Sequence, residues 1–327
     1  MTILAKTFMN TGWRCGNDEH FSCFELGIYY HDVTDLWPDG RGSGYVFWLL
    51  LVSPALLMPL AWKYGLEDTN ERCIPVESLA VAMLFLSWMI QRPLMQKHLW
   101  VSAVLICPWF FLQLRRGLLV LTKWRLYRVF TLPDTTIDFS GLFPAVGAGW
   151  LLAHRANWTP WNFDPLIVLL TAAHFHHAGF TLPLMAGLNA KASPGCWTRF
   201  SCVAILAGVP LVAAGITCTH FGVLRFMEPF GVAVLVLGAL GVAVSQIRRG
   251  FEKTHTGWVR VCFVVSGVSL LSAMVLAMGF GLRHVVPNWA LTMPQMWMIH
   301  GTLNAFGFGL CGLLAWRGAR RESGTGL

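Results

Sequence analysis

Three histidines crowd one apolar stretch of the chain, in Ala173-His174-Phe175-His176-His177-Ala178-Gly179-Phe180. A fourth, His300, lies in another apolar stretch with Asn304 four residues on. Imidazole changes charge near neutral pH, so it can take and return protons; its neutral form also ligates metals. On a helix, residues three or four apart share a face. His174 and His177 therefore share one, and so do His300 and Asn304. His176 points about 200° away from His174 at 3.6 residues per turn. Two chemistries fit. In the first, His174, His177, His300 and Asn304 form an acid–base site for a lipophilic small molecule, with Glu228 or Asp164 donating a proton from the rim. In the second, His174, His176, His177 and His300 supply ligands to iron or another metal, or His174 or His176 pairs with His300 across a haem. A third reading has no chemistry: a transporter, sensor or assembly factor in which polar side chains bond helix to helix.

Elements that could hold such residues follow from composition. Of the 327 residues, 55% are hydrophobic and 12% charged, against about a quarter charged in soluble domains. Apolar stretches of about 20 residues, the length that crosses a hydrocarbon core, alternate with short polar connectors. Backbone polar groups cannot be left bare in lipid, so the stretches must be helices. The expected fold is all-α: a polytopic transmembrane bundle of about nine spans, or eight without the short second one. The spans are 44–62, 76–91, 97–114, 135–153, 164–187, 199–218, 226–247, 259–280 and 293–316. Residues 1–43 form a polar N-terminal segment, 44–318 the membrane domain and 319–327 a short tail. No cleavable signal peptide is expected, since 1–43 has no continuous apolar core.

The net charge of +8 does not signal nucleic acid, because the basic residues sit at helix ends. Arg115, Arg116, Lys123, Arg125 and Arg128 follow the third span, and Arg155 alone follows the fourth. The alternation continues to Arg317, Arg320 and Arg321, which places the C-terminus in the cytoplasm and the N-terminal segment outside. The protein is thus expected in the cell membrane, among lipids. His174, His176 and His177 then lie roughly 15–20 Å below the outer surface and His300 roughly 10 Å below it. His98, His154, His220 and His284 fall at outer helix ends. Tryptophans such as Trp150, Trp158, Trp161, Trp289 and Trp297 read as an aromatic belt. Met293, Met296 and Met298 read as lipid-facing packing. Cys15 and Cys23 pair only if their segment meets an oxidising compartment. Motifs for nucleotide binding, zinc proteolysis and serine hydrolysis are absent.

The fifth to ninth spans resemble the YndJ-like family of bacterial membrane proteins. The resemblance is carried by Asp164-Pro165, the His174-to-Phe180 block and His300-Gly301-x-x-Asn304-x-x-Gly307-Phe308, and it implies an architecture with little chemistry. Locally, Ala173-His174-Phe175-His176 resembles the helix of haem–copper oxidases whose two histidines bind two haems. The paired copper-ligand histidines and the Glu-containing helix of that family are missing here, so oxygen reduction is not expected. The charge pattern predicts that a fluorescent protein fused after Leu327 matures in the cytoplasm, whereas a phosphatase active only outside is silent there. The opposite pair of results would reverse the orientation.

Overall fold

The computed structural model describes residues 41–61, 74–94, 99–126 and 131–323. Cys15, Cys23 and His98, with most of the N-terminal segment, lie outside the described residues. Among those described there is no strand, and every long element is helical. Helix α1 runs Arg41–Val52 and continues through a wide π-helical stretch, Ser53–Leu57, into Met58–Ala61. Then come α2 (Ile74–Leu94), α3 (Leu99–Leu126), α4 (Leu132–Arg155), α5 (Pro165–His177) and α6 (Thr181–Ala192). They are followed by α7 (Cys196–His220), α8 (Met227–Gly250), α9 (Gly257–Gly281) and α10. Helix α10 is the bent pair Pro287–His300 and Leu303–Glu322, with 41° between its halves.

Among the described residues, seven helical segments are long and apolar enough to cross a membrane, and the bent α10 makes an eighth. Helix α2 adds a shorter apolar stretch, Val76–Ile90. This is the expected bundle of eight or nine spans, but three segments differ from their expected form. The third span does not end near residue 114. Its helix continues to Leu126, because Leu118–Leu121 keeps it apolar and its basic residues find partners. Arg116 pairs with Glu77 of α2. Lys123 reaches Asp138 of α4 at 2.7 Å, where Trp124 Nε1 also donates at 2.9 Å. The fifth span is broken directly after its histidines, giving α5 and α6. The ninth is bent beside His300. Trp297, expected in the interfacial belt, instead packs in the core at 6% exposure.

Start signals are local. Thr131 caps α4 by accepting from the Asp134 N–H, with Pro133 in the first turn. Asp164 caps α5 by accepting from Leu166 N–H at 2.7 Å, with Pro165 at the first position. Proline there loses no hydrogen bond, since the first N–H groups of a helix have no internal partner.

Packing depends on small residues, as expected where lipid is no less apolar than leucine. A Cβ on Gly208 of α7 would meet Leu235 Cα of α8 at 2.7 Å, and one on Gly215 would meet Glu228 Cα at 2.5 Å. Those two glycines sit seven apart and bring the antiparallel helices together along two turns. At the end where they meet, Glu228 is buried at 4% exposure. It accepts both arms of the Arg283 guanidinium, at 2.6 and 3.0 Å, tying α8 to α9. The opposite end is the basic one. There Arg249 of α8 donates to Asn189 and Ser193 at the end of α6, at 3.3 and 2.8 Å, and lies over the Trp316 ring of α10.

Removing one member of a buried ion pair strands the other. Arg283→Ala should therefore lower stability by roughly 3–5 kcal/mol, read as unfolding in detergent, and Arg283→Ala with Glu228→Gln should recover part of the loss. A loss below about 1 kcal/mol would place the pair in water.

Candidate functional site

Both histidine-bearing helices are irregular at their histidines. Helix α5 ends at His177 and α6 begins at Thr181, so carbonyls are released at mid-span and must be satisfied by protein. Gly179 N–H donates to the His174 carbonyl at 3.2 Å. The Thr181 hydroxyl donates to the His177 carbonyl at 2.7 Å. The Ser53 hydroxyl, from the π stretch of α1, donates to the His176 carbonyl at 2.5 Å. Helix α10 has two π stretches, Met296–His300 and Leu303–Leu310, and wide turns of this kind recur at functional sites. Its carbonyls are met in the same way. Asn304 Nδ2 donates to the His300 carbonyl at 2.8 Å, and Ser266 of α9 donates to the Phe308 carbonyl at 3.0 Å. Thr302 donates to the Met298 carbonyl, and its hydroxyl also meets Tyr45 of α1.

The imidazole rings are held separately from those carbonyls. A neutral imidazole carries one N–H and one lone pair, and a carbonyl can only accept. His177 Nε2 faces the Leu49 carbonyl of α1 at 2.7 Å, so Nε2 holds the proton. Its Nδ1 lone pair is enclosed with no hydrogen-bond partner. His300 Nδ1 faces the Ala273 carbonyl of α9 at 2.9 Å, so its lone pair is on Nε2. His174 Nε2 is enclosed without a partner. His174 and His177 thus lie one turn apart on α5, with His177 held by α1, and His300 of α10 is held by α9. Two of the three rings are fixed by carbonyls and one is not.

His176 is placed elsewhere. It is fully buried on the side of α5 that faces α3 and α4. Its Nδ1 donates to its own helix at Ala172, 2.8 Å away. Its Nε2 accepts from Trp109 Nε1 at 3.0 Å, and the two rings stack. Gly147 of α4 makes room for it: a Cβ there would lie 2.7 Å from His176 Nδ1. Both ring nitrogens are therefore engaged, and a haem or metal could take Nε2 only by displacing the indole. Among the described residues, no three His, Cys, Asp or Glu side chains converge with spacing for a metal ion. The expected metal ligand set of His174, His176, His177 and His300 does not gather as one group among the described residues, because His176 lies on the face of α5 opposite to His174 and His177.

The remaining predicted site residues have structural partners. Asn304 bonds to backbone, holding the wide turn that carries His300. Asp164 caps α5, ten residues and about 15 Å of helix before His174. Glu228 is engaged by Arg283. His220 stacks on Phe163 and faces the Trp161 carbonyl. Residue types alone did not reveal Ser53, Trp109, or the carbonyls of Leu49 and Ala273; only Ser53-Pro54, which predicts a local disturbance of α1, left a trace.

The YndJ-like protein family model matches residues 46–308. The chain belongs to the YndJ-like family. That match takes in His174, His177, His300 and Asn304. Over 193 residues, or 58% of its length, the chain is 29% identical to the uncharacterised membrane protein YndJ of Bacillus subtilis (strain 168). The match covers 34% of that relative, so this YndJ-like chain spans about a third of its length. No solved structure matches the chain.

The Trp109–His176 bond clamps α3 to α5. Trp109→Phe would leave the His176 lone pair buried without a donor. It should cost about 1–3 kcal/mol of stability in detergent, with His176→Phe in the same background recovering part of it. No loss in Trp109→Phe would mean that another donor reaches Nε2.

Proposed function

We propose that this YndJ-like chain is an intramembrane enzyme that moves protons on a lipophilic small molecule, in isomerising or cyclising chemistry. The observation that carries the proposal is the trio His174, His177 and His300. It presents an enclosed lone pair at His177 Nδ1 and an enclosed, unbonded Nε2 on His174, with the His300 tautomer fixed from α9. A base that starts with its lone pair already oriented loses little on reaching the transition state. His174 has the ring that no hydrogen bond holds, so it is the group free to exchange a proton between substrate and a neighbouring imidazole. One imidazole takes a proton from carbon as the double bond shifts, and another returns a proton at the new position. No net proton or electron is gained. The substrate reaches the site from the surrounding lipids, and Asn304 acts by holding the turn that positions His300. The breaks in α5/α6 and α10 support the proposal, because discontinuous helices at mid-membrane typically frame binding sites.

Membranes carrying the full chain should be incubated in D2O with the lipid extract of the producing cells. Wild type is expected to generate an isomer of altered retention that is one mass unit heavier because it carries one deuterium. His174→Ala and His300→Ala should lower it by roughly 10²-fold or more, while both variants remain in the membrane. A product formed equally well by the variants, or no product that depends on wild type, would overturn the proposal.

A further inference from the structure

Arg155, the last residue of α4, is 2% exposed, and all three of its guanidinium nitrogens are enclosed without a hydrogen-bond partner. Among the described residues its situation contrasts with that of other enclosed arginines. Arg116 has Glu77, Arg249 has Glu252 and Arg283 has Glu228 within ion-pair distance. What Arg155 has instead is aromatic. Its Cζ lies 4.8 Å from the Phe47 ring of α1 and 4.9 Å from the Trp88 ring of α2, and those rings stack at 4.4 Å and 9°. Next to it, His154 Nδ1 is also enclosed without a partner. Aromatic faces and the C-terminal dipole of α4 favour a cation there, but neither fills the planar fork of donors. An enclosed charge left without an acceptor is strongly unfavourable, and such groups in membrane proteins mark sites.

The geometry points to an oxyanion site in which the Arg155 fork binds the phosphate or carboxylate of an amphiphile or of a soluble anion. Guanidinium matches either group with two parallel hydrogen bonds. The position suits a headgroup. Arg155 ends a membrane-crossing helix, about 12 Å by helical rise from Gly147, which abuts His176 within the bundle. The site does not depend on the acid–base proposal, since none of its residues belongs to the histidine trio.

The test is thermal unfolding of the full-length chain in detergent with dioleoyl phosphatidic acid, oleate, inorganic phosphate or dioleoylglycerol. At ~100-fold excess over Kd, a bound anion should raise the wild-type midpoint by about 5 °C. Dioleoylglycerol, which has the same tails and no charge, should not. Arg155→Met should lose the shift. Arg155→Lys keeps the charge without the fork, and should need at least ten-fold more anion for the same shift. A shift with inorganic phosphate would identify a soluble anion as a sufficient occupant. A shift confined to phosphatidic acid or oleate would identify a lipid. Equal shifts in wild type and Arg155→Lys, or in wild type and Arg155→Met, would overturn the site. So would a shift with dioleoylglycerol equal to that with the anions.

Discussion

Inside a bilayer a backbone carbonyl without a donor has no water to turn to, and the centre of this molecule is organised around that fact. Unbroken helices meet the requirement automatically. Helix α5 stops at His177 and α10 widens twice, so both release carbonyls where no lipid can satisfy them. The donors come from side chains on several helices: Ser53 from α1, Thr181 from α6, Ser266 from α9 and Asn304 from α10 itself. Each is small and hydroxylated or an amide, and each is positioned by its own helix. The breaks are thus fixed structures, held from several sides.

Ring chemistry is layered on that framework. The carbonyls of Leu49 and Ala273 each fix the tautomer of a histidine from another helix. This makes α1 and α9 as much a part of the site as α5 and α10. His176 shows the complementary case. One face of α5 carries His174 and His177, and the other uses the same residue type as a bolt to Trp109. Three histidines in four positions therefore divide into two roles, decided by what each face meets.

Much of this was legible before any coordinates. Length and apolarity gave the bundle, because bilayer thickness fixes helix length. The three-residue spacing placed His174 and His177 on one face, and the opposite direction of His176 followed from helical pitch. What could not be read were features set by neighbours rather than by the segment itself. The end of α3 depended on Glu77 and Asp138 lying opposite its basic residues. The break at Ala178–Phe180 depended on donors from α1 and α6. Arg155 looked like one more topological charge, since its lack of an acceptor is visible only in three dimensions.

Helices α2 and α3 lie against each other with unequal apolar reach. The apolar stretch of α2, Val76–Ile90, rises only about 22 Å, whereas the membrane-crossing stretch of α3, Trp100–Leu126, rises about 40 Å. A hydrocarbon slab of about 30 Å fits neither. On the flank where α2 exposes Val76, Leu79, Phe85, Leu86 and Met89, a short apolar stretch is met by local thinning, by snorkelling flanks or by association, each at a cost of fractions of a kcal/mol per Å of mismatch. Two neighbouring helices thus ask opposite things of the surrounding lipid, one too short for the slab and one too long for it.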